Sequence, residues 1–375
     1  MDFSYTQEQR DLRDTAARML TQRFTDDFRK TFSRGREPFD ATLWSSFASA
    51  GLLGASIGVQ YGGSGLGLTE LCLVLEEQGR TLAAIPLLET LVLGAMPLQR
   101  FGNAFHAQLL GQVAAGELIL TAALEEAGST DPDSPGTRAE PAGAGFRLSG
   151  VKTCVPYAQQ AGYLLVSARL EGCTRVFVVP RTAAGLTIQS QHGTTGVPQA
   201  LVTLADVPVP PTDILGADTD ADVAGWILER ARVGICALQL GVAQESLRRA
   251  VAYTSERQQF GRPLGSFQAV QHRLTDCYID VEALRSAYLR AVWALDAAVP
   301  AGAEVLAAKW WAAQCGHRVT HAVQHVHGGL GADLEYPVHA YFLRAKELEL
   351  SLGGAQLSLA AIGRKLRDGA VRPFT

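Results

Sequence analysis

The segment ERQQFGRPLGSFQAVQHRL, residues 256–274, holds the change of pattern on which the fold turns. Its first half is basic and aromatic and is punctuated by Gly261, Pro263 and Gly265, residues that interrupt a helix. Its second half starts a long helical period. From Val270 the apolar positions run Leu274, Cys277, Val281, Leu284, Tyr288, Ala291 and Leu295, in alternating steps of four and three. Such spacing lays one apolar stripe along a long helix, and the stripe needs neighbouring helices to cover it.

On either side the same period continues, from Ala221 up to GRPLG and afterwards to about Arg367, with a second break at HGGLGADLEYP (residues 327–337). Residues 218–375 therefore read as a helix-bundle domain, with four helices expected. Residues 1–116 also read as helices: TQEQRDLRDTAARMLTQRF (6–24) and LTELCLVLEEQGRTLA (68–83) carry apolar residues at three- and four-residue spacing. Between them, residues 117–217 switch to short β-rich runs, FRLSG, GYLLVSA, RVFVVP, LTIQS and ALVTLADV, separated by Gly, Pro, Asp and Ser. The expectation is an α+β chain: an N-terminal helical domain, a small, mostly antiparallel, barrel-like middle domain and a C-terminal four-helix bundle.

With 375 residues, 47% hydrophobic and 19% charged, and a net charge of −4, the chain has neither the composition of a disordered protein nor the basic surface of a nucleic-acid binder. The N-terminus lacks the basic-then-apolar run of a signal peptide, and no apolar stretch is long enough to span a bilayer, so the expected location is the cytoplasm, away from membranes. Six cysteines, at 72, 154, 173, 236, 277 and 315, are scattered singly, without the paired spacing of a zinc or dithiol site. YGGSGLG (61–67) lacks the GxGxxG spacing and joins helix to helix, so it reads as a structural turn.

This order of segments, with RxxFG at the head of a bundle hairpin, resembles the acyl-CoA dehydrogenase family of flavoproteins. IGVQYGGSGLGLTELCLVLEEQGR (57–80), ERQQFGRPLGSFQAVQHRLTD (256–276) and HGGLGADLEYP are similar to the family's motifs, in order and over essentially the whole chain. The resemblance implies FAD shared across a subunit interface, with Arg257, Phe260 and Gln268 contacting the FAD of the neighbouring subunit. A guanidinium grips a pyrophosphate through its planar fork, an aromatic ring packs on the cofactor, and an amide satisfies polar edges. Gln324, His325, Gly328, Gly329 and Gly331 fall in or beside the family's GGxG segment, with His325 where a Gln is usual, and Ser129 matches a phosphate or thioester contact. The bland alternative for the RxxFG segment is a helix-capping turn in which Arg257 pairs with an acid.

Family chemistry is α,β-dehydrogenation of an acyl-CoA, in which a glutamate removes the α-proton while hydride passes from the β-carbon to FAD. Counting from Arg344 in RAKELELSLGGAQ puts one usual base position at Gly353, and the other aligns with Ala231 in ILERARVG; neither carries a proton-accepting side chain. Glu349, one helical turn before Gly353, is the remaining weak candidate, while Glu229 should point elsewhere. On the flavin side, LEEAGSTD (124–131) stands for TEPxAGSD, so that Glu125 matches the family's glutamate and Glu126 replaces its proline. Cys154 and Pro156 stand where a Trp and a Thr cover the ring.

A chain that keeps the lending contacts but has lost its own base and flavin cover fits one subunit of a heteromeric enzyme, as in actinobacterial members resembling steroid-degrading enzymes. The partners implied are an acyl-CoA, a homologous subunit supplying the glutamate in a heterotetramer, and electron-transfer flavoprotein as acceptor. Three alternatives stay open: a homo-oligomeric dehydrogenase using Glu349, a flavin-free acyl-binding or structural paralogue, and a flavin-dependent oxidation or hydroxylation. His317, His321 and His325 recur every four residues and could share a face, but the spacing matches no metal-catalytic motif and no metal is expected.

Overall fold

The computed structural model describes residues 3–35, 37–128 and 131–369. The chain divides into two compact units: Met1–Gly35, Cys72–Ala83 and Arg232–Thr375 form one, and Arg36–Leu71 with Ala84–Ala231 the other. Two helices run through both, α4 (Leu68–Thr81) and α7 (Val223–Glu256), where the segments of the α1–α11 and β1–β9 series are numbered in chain order.

The first unit is helical. It begins with α1 (Gln7–Arg23), opened by a capping box in which Thr6 and Gln9 satisfy each other's backbone N–H, and α2 (Asp26–Arg34), capped by Thr25. After α7 come α8 (Gln268–Asp296), α9 (Gly302–His327), α10 (Val338–Leu350) and α11 (Ala355–Arg367). The expected stripe on α8 is buried from Cys277 through Val281, Leu284, Tyr288, Ala291 and Leu295, whereas Val270 and Leu274 are only half-buried. Two interruptions go beyond the sequence reading. The period breaks between α8 and α9, where Ala298 takes φ 53° and Pro300 follows, and again at residues 351–354 before α11.

The second unit holds α3 (Ala41–Ser49), an eight-residue π-helical stretch Leu88–Ala95 running into α5 (Met96–Phe101), α6 (Ala104–Ala114) and a seven-stranded sheet. The five strand runs read from the sequence appear as β3 (Gly145–Pro156), β4 (Tyr163–Leu170), β5 (Cys173–Pro180), β6 (Leu186–Gln191) and β7 (Gln199–Val209). The sheet adds β1 (Leu120–Ala123) and β2 (Arg138–Ala142). β2–β3, β3–β7, β6–β7 and β4–β5 pair antiparallel, while β1 and, at one residue pair, β2 lie parallel to β4. Alternation along β7 points Ala200, Val202 and Leu204 into a core shared with Leu148, Leu164, Val166 and Phe177. YGGSGLG is a turn: Gly62 takes φ 84°, and a Cβ on Gly63 would stand 2.1 Å from the Ile57 carbonyl oxygen.

Four cysteines, Cys72, Cys236, Cys277 and Cys315, are buried, and two, Cys154 and Cys173, are exposed. Burial pushes the Cys236 thiol up to about 12 and Cys277 to about 11, and raises Cys72 and Cys315 as well. Since the thiolate is the reactive form, a disulfide-exchange reagent at pH 8 should titrate Cys154 and Cys173 quickly and the other four only on unfolding. Fast reaction of three or more thiols in the native protein would contradict this burial.

Candidate functional site

The segments expected to form a lending face for a neighbour's FAD lie in the helical unit, at the ends of three helices. α7 stops where the Arg257 N–H reaches the Tyr253 carbonyl at 2.8 Å, and the chain reverses in a two-stranded ribbon, β8 (Gln258–Gln259) against β9 (Arg262–Pro263). Its two central residues, Phe260 (φ 55°) and Gly261 (φ 77°), both lie at positive φ, the geometry of a type I′ turn that Asn-Gly normally fills. A bulky aromatic there is a backbone outlier, and Phe260 is 91% exposed, with Phe267 edge-on at 6.2 Å between ring centroids. Nothing in the packing of this unit explains a phenylalanine at that position.

Arg257 is exposed and, among the described residues, its guanidinium makes no ion pair, so the capping-turn alternative lacks its acid. Gln268 opens α8 as an exposed first residue, with no side-chain cap bond at that end. At the far end of α9, Gln324 is half-buried and His325 exposed. The glycines that follow differ in what they are for. Gly328 takes φ 63° and ψ −140°, and a Cβ on Gly331 would stand 2.9 Å from the Gln324 carbonyl oxygen, so the fold itself favours glycine at both. Gly329 has ordinary φ and open space around a virtual Cβ; its smallness serves nothing within the unit.

The same unit holds the base candidates on the carboxyl-terminal side. The loop after α10 carries Ser351, Leu352, Gly353 and Gly354, none with a carboxyl group. Gly353 sits at φ 100°, where an L-amino-acid side chain is strained, and Leu352 before it at φ 52°. Two buried cations hold the backbone here. Lys309 on α9 donates to the Leu348 and Glu349 carbonyls at 3.2 and 3.0 Å, capping the end of α10, and Arg232 Nε donates to the Leu352 carbonyl at 3.3 Å. The Glu349 carboxylate forms an ion pair with Lys346 and lies 3.5 Å from His317 Nδ1, so it is engaged on the α9 side.

His317 and His321 stack at 4.2 Å, with His321 Nδ1 against the His317 carbonyl and the Lys346 ammonium 2.9 Å from His317 Nδ1. Among the described residues no three of His, Cys, Asp and Glu converge as metal ligands would.

In the sheet unit, Ala231 is fully buried, and Glu229 lies beside Arg230 at 4.0 Å. Ser129 falls outside the described residues. Glu126, the residue in the family's proline place, gathers four donors: the Gly136 N–H at 2.6 Å, the Thr137 N–H at 2.9 Å, the Thr137 hydroxyl at 2.6 Å and the Lys152 ammonium at 2.7 Å. Lys152 is fully buried and also donates to Ser167 Oγ at 3.0 Å. Although partial burial works to raise it, the hydrogen bonds from Lys152 and Thr137 bring the Glu126 carboxyl down to about 2.

Two residues further along β3, the strand slips register with β7 between Lys152 and Val155. Cys154 and Tyr157 take φ 51°, and Gln191 Oε1 accepts from the Cys154 N–H at 2.9 Å. A bulge with strained residues marks a re-aimed strand end. The bend is present where the resemblance expects the flavin cover, but Cys154 and Pro156 give it no aromatic ring.

Sequence reasoning had no signal for the Glu126–Lys152 pair, whose members are distant in the chain, or for the buried cations behind the Gly353 loop. Models of the acyl-CoA dehydrogenase N-terminal, middle and C-terminal domains match residues 6–117, 121–207 and 221–367. The chain belongs to the acyl-CoA dehydrogenase family. Acyl-CoA dehydrogenases are FAD-dependent oxidoreductases acting on the CH–CH bond of an acyl-CoA. The chain is 37% identical to acyl-CoA dehydrogenase FadE27 of Mycobacterium tuberculosis, over 98% of this chain and 99% of the relative. Among solved structures it resembles a variant of the Tcur3481–Tcur3483 steroid ACAD, with TM-score 0.92, 41% identity and 97% and 98% of the two chains covered. It resembles equally the ChsE4–ChsE5 complex from Mycobacterium tuberculosis, with TM-score 0.92, 37% identity and full coverage of both chains. Among the described residues no helix of this acyl-CoA dehydrogenase is long and apolar enough to cross a membrane.

Proposed function

We propose that this acyl-CoA dehydrogenase chain acts as one subunit of a heteromeric, FAD-dependent enzyme in the cytoplasm. In this reading it lends Arg257, Phe260, Gln268, Gln324, His325, Gly328 and Gly329 to FAD seated mainly on a homologous partner, with Ser129 a further contact on its own flavin side, while the partner contributes the catalytic glutamate. The observation that carries the reading is the contrast between two sites of one unit: an aromatic held exposed at positive φ, and a base position occupied by Gly353 at φ 100°. The names of the steroid ACAD and of the two-chain ChsE4–ChsE5 complex support a bulky, steroid-type acyl-CoA and a two-chain assembly.

The residues present fit the cofactor: an exposed guanidinium without a carboxylate partner suits a pyrophosphate, a bare ring suits a cofactor face, and an uncrowded glycine admits close approach. When bound, FAD supplies the hydride acceptor, and electron-transfer flavoprotein is the expected electron acceptor thereafter. The work of this chain is orientation: Arg257 and Gln268 fix the cofactor's polar groups, Phe260 shields part of it from water, Lys309 holds the end of α10 by the Leu348 and Glu349 carbonyls, and Arg232 holds the loop that follows by the Leu352 carbonyl. No side chain of that loop takes the α-proton.

Co-expression with a homologous partner encoded beside it, followed by measurement of flavin per chain and subunit ratio, tests the assembly. One FAD per two chains with dehydrogenation of an acyl-CoA is expected from the pair, and no dehydrogenation from this chain alone. One FAD per chain together with dehydrogenation by the lone chain would overturn the reading. Because a side chain at φ 100° costs about 1–3 kcal/mol, Gly353→Glu should lower the unfolding free energy by that amount and give the lone chain no dehydrogenase activity. Activity gained by that single change would show that the loop still supports a base.

A further inference from the structure

The residue before the glycine turn, His327, is the strongest unassigned group in the helical unit. It is 4% exposed, and its ring lies parallel to Tyr253 of α7, 4.4 Å between centroids and 23° between planes. Tyr336, ahead of α10, adds a tilted ring contact at 5.4 Å and 51°. Nδ1 lies 2.7 Å from the Val323 carbonyl oxygen, which fixes the N–H on Nδ1 and leaves Nε2 as an acceptor; Nε2 is buried without a partner among the described residues. A buried nitrogen without a partner is costly, so a phenyl ring would serve packing alone at least as well.

Position explains what the ring does. Tyr253 is the residue whose carbonyl receives the Arg257 N–H and so ends α7 ahead of the Phe260 turn. His327 itself is the last residue of α9, directly before Gly328 at φ 63°. One aromatic stack therefore joins the base of the Arg257–Phe260 ribbon to the base of the Gly328–Gly329 turn, two segments that are distant in sequence. We propose that His327 is a positioning residue that sets the spacing between these two halves of the lending face. The inference rests on the reading of that face as a cofactor grip. The planar ring stacked on Tyr253 does the positioning, and neither nitrogen is required for it.

Three variants of this chain, His327→Leu, His327→Phe and His327→Ala, each assembled with its partner, separate the possibilities. Far-UV circular dichroism and melting establish that each folds. His327→Leu, apolar but not planar, should weaken FAD binding about tenfold, the scale of one lost aromatic stack, and His327→Ala at least as much. His327→Phe should stay within about threefold of the parent. Amide exchange read by mass spectrometry should quicken together at residues 257–265 and 328–332 in the Leu variant and not in the Phe variant.

Unchanged exchange in both segments, or equal FAD loss in the Phe and Leu variants, overturns the positioning role. Coupled exchange with FAD affinity unmoved in every variant keeps the role of the stack and instead overturns the reading of the face.

Discussion

Lys152→Met should be the most destabilising single substitution in the sheet unit, lowering its unfolding free energy by about 3–5 kcal/mol. The change leaves the Glu126 carboxylate half-enclosed, with the Gly136 and Thr137 donors but no cation, and deprives Ser167 of its partner. Removing both charges, as in Lys152→Met with Glu126→Gln, should recover most of the loss, because the neutral amide still accepts from the backbone. Chemical denaturation of the three proteins measures this; a double variant no more stable than Lys152→Met would contradict it. Acid provides a second readout. Glu126 is held near 2, below its ordinary 4.5, so its contribution is fully present above that ordinary value and is lost as pH falls towards 2. The parent should therefore lose stability across that window more steeply than the double variant.

Arg257→Ala should have the largest effect on cofactor retention while leaving the fold intact. The side chain is exposed and makes no ion pair among the described residues, and the backbone bonds that terminate α7 and close the ribbon use only its N–H and carbonyl. A charge-assisted contact is worth about 1.5–3 kcal/mol, so FAD affinity of the assembled enzyme should fall by roughly ten- to a hundredfold. Arg257→Lys should recover only part of this, since an ammonium lacks the guanidinium's planar fork. Equal flavin content in the parent and Arg257→Ala after gel filtration at low FAD would remove Arg257 from the grip.

Much of the architecture was legible because it rests on period. The alternation of four and three on α8 located its buried stripe from Cys277 onward, and the runs of β-branched residues located β3 to β7. What escaped has physical reasons. LTAA in β1 is four residues long and buried throughout, so it shows no alternation, and RAEPA in β2 carries a proline and mostly exposed side chains. The halves of the lending face were readable as motifs, but their join was not: stacking of His327 on Tyr253 brings together residues from different helices. Nor does a glycine in a sequence announce its dihedral, and φ 100° at Gly353, which strains any side chain placed there, is visible only in the structure. Val270 and Leu274, half-buried at the start of the stripe, show the same limit, because periodicity says that a face needs cover without saying which chain provides it.

That dihedral has a consequence for descent. On a backbone that accommodates a side chain, one substitution would supply an acid, and the gene could drift to independence. At Gly353 the main chain lies at φ 100°, where a glutamate would be strained, so a change to glutamate would bring the letter at a cost in stability. Under the heteromeric reading proposed above, that cost acts as a ratchet, tying this gene to whichever gene encodes the acid.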